Sequence, residues 1–369
     1  MTFVGARLRL ARTLHDLTLQ ELSGDVASSP AALSQIENDK KAPSDDLVAA
    51  LGARLGFEPA FFFRRVQDEF TAAECTFRSR TTTPEREKKR VLARGTLFGE
   101  AVRYVNSVVA LPAFDVPHLP ASNPRDVEAA ADRCRVHWGL GLDAPIGHVG
   151  RVLERAGVLV TRFDAQTLKV DAFSRFGEVS VIVLNATKGS ASRTLFDLAH
   201  EAGHLVMHRT PEPGTPEREA QADAFASAFL LPRLGFARDF RALPRKDLAH
   251  IVELKRHWRA SAAAIIRRAY DLGLIDAGEY RRLNAQRMAR GYHRGEPAEP
   301  VMERPEMMEK ALDSLAQKKG VTPFHIAGTL HWTPATFETV VGVPAPAPAV
   351  PSAPVVSLST YRERRAAVR

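Results

Sequence analysis

The pentapeptide His200-Glu201-Ala202-Gly203-His204 lies inside an apolar run formed by Leu195, Leu198, Ala199, Ala202, Leu205 and Val206. No other feature limits the fold as strongly. Positions i and i+4 of a helix share one face, about one turn apart. His200 and His204 therefore present two imidazoles to one point, and Glu201 tips toward the same cavity. Two nitrogen ligands with a carboxylate beside the attacking water is the donor set of a catalytic zinc. The apolar flanks place this helix in a core. The bland alternative is a coincidental pair of buried histidines.

The surroundings favour the metal. Val179-Ser180-Val181-Ile182-Val183-Leu184-Asn185 is a β-branched run that reads as a strand before the helix. A strand followed by an H-E-x-x-H helix is the zincin layout. Residues 158–163 and 171–174 read as two further strands, so the domain is α+β with a small sheet. With 369 residues, the chain is long enough for two or three domains. It shows no apolar run of the roughly 18–20 residues that span a bilayer and no signal-peptide pattern after Met1. These features imply a cytoplasmic protein without a membrane partner. Cys75 and Cys134 are too few for a disulfide framework and read as free thiols.

A net charge of +8 points to a polyanionic partner only if a motif supports it. The first 70 residues supply one. They read as short helices, with a capping box at Thr18-Leu19-Gln20-Glu21, Pro30 at a helix start and Gly56 at a helix end. A tight turn between the second and third helices gives a helix-turn-helix, whose later helix enters the major groove of double-stranded DNA. Leu19-Gln20-Glu21-Leu22, Leu33-Ser34-Gln35-Ile36-Glu37-Asn38 and Pro43-Ser44 resemble the Xre/Cro repressor family. The resemblance implies that Gln20 lies near a phosphate. It also implies that Ser29, Ala31, Ala32 and Gln35 meet bases or backbone, and that Lys40 and Lys41 flank phosphates. The chain departs from the family at Ser23-Gly24-Asp25-Val26-Ala27 in the second helix. Its recognition helix is poor in Arg and Asn, which suggests thin or shape-based readout. An all-helical protein-binding module is the alternative.

A catalytic zinc needs a third protein ligand. His208 follows His204 by four residues but has rotated by about 80° from His200, so it reads as a neighbour of the site. The Ala-rich helix expected over 217–231, ending before Pro232, offers Glu219 and Asp223 at i and i+4. One of them can bind the metal while the other orients a histidine. The motif followed by Glu219-x-x-Ala222-Asp223-x-Phe225-Ala226-x-x-x-Leu230-Leu231-Pro232 resembles the ImmA/IrrE metallopeptidases. That likeness implies His200, His204 and Glu219 as metal ligands and Glu201 as general base, with Glu217 as the fallback ligand. Arg193 and the Leu184-Asn185 strand end also match the pattern. Zn2+ is the default ion, although two histidines and a carboxylate also hold Mn2+ or iron.

The expected fold is mainly α, with a small α+β zincin-like domain, an N-terminal helix-turn-helix and a helical C-terminal extension. The expected segments are the DNA-binding domain at 1–70, a basic helical connector at 71–123, the metallopeptidase at 124–240, the extension at 241–342 and a disordered Pro/Ala-rich tail at 343–369. The implied function is a DNA-binding regulator with zinc-dependent endopeptidase activity. Its partners would be an operator, a repressor or antitoxin-like protein substrate and a second copy of itself. The rivals are a metal-containing regulator that cuts nothing and an antitoxin-like binding protein. The intact Glu201 argues against a decayed site, because a pure binding module has no use for it.

Overall fold

Side-chain acceptors fix most helix starts. Thr18 accepts from the Glu21 amide while Glu21 accepts from the Thr18 amide, completing the capping box. Ser29, Ser44, Asn123, Ser190, Thr215 and Ser261 cap later helices through the accepting side chain alone. The structure, a computed structural model, describes residues 2–72, 74–79, 84–163, 170–185, 187, 189–209 and 215–347.

The N-terminal helices are α1 (Gly5–Leu14), α2 (Leu19–Asp25), α3 (Pro30–Glu37) and α4 (Asp45–Leu55). A 3-10 turn at Pro59–Phe63 leads to β1 (Cys75–Ser79), the long α5 (Glu85–Val108), α6 (Pro124–His137) and α7 (Val149–Arg155). Then come β2 (Leu159–Phe163), β3 (Val170–Arg175), β4 (Val181–Asn185), α8 (Ala191–Met207) and α9 (Pro216–Leu230). The remaining helices are α10 (Arg233–Arg241), α11 (Leu248–Trp258), α12 (Ala262–Asp271), α13 (Ala277–Ala289), α14 (Met307–Lys319), α15 (Pro323–Leu330) and α16 (Pro334–Val341). The protein is mainly α, with one small sheet beside α8. None of the described helices is long and apolar enough to cross a membrane. Cys75 and Cys134 are free and buried, and burial pushes the Cys134 thiol up to about 12.

The sheet has the order β1-β3-β4-β2, with β2 and β4 parallel and the other pairs antiparallel. Its two faces belong to different cores. Val160, Ala172, Ile182 and Leu184 pack with α6, α8 and α9. Leu159, Phe173, Val181 and Val183 pack with α1, α4, α5 and the C-terminal helices. Burial on both sides explains why β4 reads as continuously apolar, since neither face needs polar residues.

The structure adds three features to the expected segments. Cys75–Ser79, read as the start of a basic connector, is a fourth strand that pairs with β3; Arg80 and Thr81 to Thr83 lie outside the described residues. The C-terminal extension divides between the cores, because α11–α13 join the α8 side while α14–α16 pack on α5 and the N-terminal helices. The Glu58 and Thr333 amides bond across that junction to the His331 and Gly56 carbonyls. In the expected tail, Ala345 is buried at 4% exposure because it closes the first core. Residues 348–369, the rest of that tail, lie outside the described residues.

A carboxylate-bearing strap at residues 296–306 ties the helix starts together. Glu296 accepts from the Ala262 amide of α12, and Glu299 from the Ser192 amide of α8. Glu303 accepts from the Val149 and Gly150 amides of α7 and pairs with Arg259. Anions at helix N-termini meet unsatisfied amides and the positive end of the dipole. The fully buried Lys255 neutralises Glu296 and Glu299 at 2.9 and 2.5 Å. Glu303→Ala would strip two buried amides and Arg259 of their acceptor. The expected loss is about 3 kcal/mol, read as a fall in the urea midpoint followed by circular dichroism. An unchanged midpoint would show that the strap does not hold α7.

Candidate metal centre and nucleic-acid interface

α8 is buried on nearly every face, between the sheet and α6, α7 and α9, which accounts for its apolar sequence. Gly203 lets α9 come close. A Cβ there would lie 3.0 Å from Phe225 Cδ1 and 3.2 Å from its Cβ. The helix α9, with Pro216 at its first position and Thr215 as cap, thereby brings Glu219 over the two histidines.

His200 Nε2 and His204 Nε2 are 3.1 Å apart. The Glu219 carboxylate reaches them at 3.3 and 3.4 Å. The three ligand atoms lie within 4.8 Å of one another, the sole such group of three or more among the described residues. Glu217 is exposed and outside it. The outer ring atoms are committed elsewhere. His200 Nδ1 meets Asp223 Oδ1 at 2.8 Å, and a carboxylate there can only accept. Gln221 donates through Nε2 to the Ala121 carbonyl, so its Oε1 accepts from His208 Nε2 at 2.7 Å. Burial lowers the His208 pKa to about 4, so this ring is neutral and its Nδ1 accepts from His204 Nδ1 at 2.9 Å. Each metal-facing Nε2 thus carries a lone pair. Two lone pairs and a carboxylate converging on one point call for a cation, and the donor set fits a divalent metal ion.

Burial pushes the Glu219 carboxyl up, and the two imidazoles set against it outweigh burial and hold it well below the ordinary carboxylate range. Glu201 is fully buried, and its Oε2 accepts from Ser174 Oγ at 2.5 Å. Beside Asp223, a cavity of about 920 Å3 runs between α8, α9 and α12, with Arg193, Phe196, Ala224 and Arg267 in its walls. Arg193 also donates to the His293 carbonyl. Asn185 is buried and accepts from the Thr187 amide.

The sequence reading missed Ser174 and Gln221. The strand alternation through 171–174 was a signal for Ser174, but pairing it with Glu201 required the packing of α8 on β3. Gln221 had no signal beyond lying between Glu219 and Asp223.

On the N-terminal domain, Gln20, Ala31, Gln35, Lys40 and Lys41 are exposed, while Ala32 is half-buried. Ser29 is exposed too, but its hydroxyl accepts from the Ala32 amide as the cap of α3. The face of α3 offers no basic side chain, and the flanking cations Lys40 and Lys41 follow it.

Comparison with known families finds two matches. Residues 8–62 match a helix-turn-helix family model, and residues 153–270 match the peptidase M78 model, described as an IrrE N-terminal-like domain. No curated protein matches the chain.

The close approach at Gly203 is testable. Gly203→Val would force α9 off α8, at a cost of about 1–3 kcal/mol, with Gly203→Ala intermediate. Thermal melting of the metal-free protein reads this. Equal melting of all three proteins would mean that the helices need no bare backbone at this crossing.

Proposed function

From a chain that joins an Xre-type helix-turn-helix to an IrrE-like peptidase domain, we propose a DNA-binding regulator that hydrolyses a peptide bond in a protein partner. The observation that carries this reading is the convergence of His200, His204 and Glu219 beside a buried Glu201. His200 Nε2, His204 Nε2 and a Glu219 oxygen would hold a divalent ion, by preference Zn2+, with Mn2+ also suited to this donor set. When bound, such an ion supplies Lewis-acid polarisation of the scissile carbonyl and lowers the pKa of water.

The chain's own groups do the rest. Asp223 orients His200, and His208 with Gln221 orients His204, so that neither ring can turn its lone pair away. Glu201 takes the proton from the attacking water and later gives it to the leaving amine. The hydroxyl of Ser174 holds one carboxylate oxygen of Glu201.

At the other end, α3 would enter the major groove of an operator. Gln20, Ser29, Lys40 and Lys41 would meet the backbone, with Ala31, Ala32 and Gln35 near bases. The absence of basic side chains from the α3 face favours shape readout over base readout. On this reading the protein works in the cytoplasm, as a dimer on a two-fold operator, and its substrate is a repressor or antitoxin-like protein.

Two measurements test the peptidase. Metal analysis of the purified protein should find one ion per chain; Glu219→Ala should lose it and Glu217→Ala should keep it. Asp223→Asn should weaken metal affinity about 10–100-fold. If Glu219→Ala retains the ion, the ligand set is wrong. Separately, zinc-loaded protein incubated with a cell extract should generate new protein N-termini. Glu201→Gln should keep the metal and generate none. Cleavage that survives this substitution would sink the mechanism, while metal binding with no cleavage by the wild type would favour the non-cleaving regulator.

A further inference from the structure

A second cavity, of about 430 Å3, lies far along the chain from the metal-binding residues, between α1, the turn before α2 and the start of α5. Its volume is in the range of small-molecule sites. Its base is apolar: Leu17, Phe70 and Ala93 line it, with Leu10 and Leu92 beside them. Its rim is cationic, with Arg9, Arg12, Arg86 and Lys89 set against the carboxylates of Asp16 and Glu69 among the described lining residues. Arg12 is already held in a fork by Glu37, and Arg86 by Asp16. Arg9 is half-exposed; it donates to the Glu37 carbonyl at 2.8 Å and to Asn38 Oδ1 at 3.3 Å, while its Nε stays 3.9 Å from the Glu37 carboxylate. Lys89 is exposed, and no ion pair to it is formed within the described residues. Glu69 offsets one of the two cations that remain, Arg9 and Lys89, so the charge left over at the mouth is still positive.

An apolar base under a positive rim selects one ligand chemistry. We infer that this cavity binds a small amphipathic anion, its apolar body on Leu17, Phe70 and Ala93 and its anionic head at Lys89 and Arg9. The head is a carboxylate or a phosphate monoester, both of which Lys and Arg recognise.

The position gives such a ligand a means of acting on both ends of the molecule. On one side, Arg86 bonds Asp16 and approaches Glu21, the residue that completes the capping box of α2. On the other, Phe70 lies on the bare backbone of α5, where a Cβ on Gly95 would come within 2.6 Å of the ring. The Arg175 guanidinium lies over the Phe70 ring, 4.2 Å from its centre. Arg175 is the neighbour on β3 of Ser174, whose hydroxyl holds Glu201. An occupant of the cavity thus touches the start of the helix-turn-helix and is two side chains away from the strand that positions Glu201.

Isothermal titration of the full-length, metal-loaded protein tests the site, with decanoate, octyl phosphate and neutral decanol as probes below their aggregation concentrations. Decanoate or octyl phosphate should bind saturably at one per chain, and the tighter of the two identifies the head group. Decanol should bind at least tenfold more weakly. Ala93→Phe fills the base and should abolish binding. Lys89→Glu, on an exposed residue that leaves folding intact, should weaken the anions at least tenfold and leave decanol unchanged. Decanol binding as tightly as the anions would overturn the inference. So would unchanged affinity in both variants, or no saturable binding of any probe. Metal content is measured on the same samples, so failure here is separable from failure of the peptidase reading.

Discussion

Successive side chains of a β-strand point to opposite faces of the sheet, and in this protein neither face is left to solvent. That constraint joins the halves of the molecule. Ala172 and Ser174 of β3 face α8, while Phe173 and Arg175 face the core shared by α5, the N-terminal helices and the C-terminal helices. One residue step along β3 passes from the hydroxyl that holds Glu201 to the guanidinium that covers Phe70. A slip of one residue in the pairing with β4 would exchange those roles and bury Arg175 beside α8. The register Ser174 to Ile182 and Arg175 to Val181 prevents this. Arg175 is further held by Asp68, whose carboxyl its hydrogen bonds keep below the usual range.

The helices around the sheet converge with many of their first amides buried, and these need acceptors. Short polar caps serve where the chain is near the surface. In the interior, the strap at 296–306 supplies carboxylates, and the fully buried Lys255 offsets the charge of two of them. Glu154 works in the reverse direction, accepting from the Glu306 and Met307 amides at the start of α14. The strap is thus bonded at both ends and fixes the start of α8, on which the histidines stand.

Much of this was legible in the sequence because it is local. Caps, helix ends before Pro232 and after Leu55, and the i, i+4 spacing of His200 and His204 depend on residues a few positions apart. Choosing between Glu219 and Asp223 was different, since both lie on one face of α9. The likeness to a known family favoured Glu219, and the packing puts Asp223 behind His200 instead. The strand at Cys75–Ser79 was hidden because its partner lies about a hundred residues away and its own sequence, with Arg78, carries no alternating apolar pattern.

By itself the sequence determined the elements of this protein: a capped helix-turn-helix at its start, an H-E-x-x-H helix after a β-branched strand, and a mainly helical chain with a small sheet. These follow from backbone periodicity and the hydrogen-bonding needs of helix ends, which nearby residues satisfy. Tertiary structure alone decided that α14–α16 return to the N-terminal helices, that β1 crosses to the sheet beside α8, and that Ser174 meets Glu201. Those contacts join residues from 27 to more than 200 positions apart. They depend on which apolar faces bury one another, and no local pattern encodes that choice.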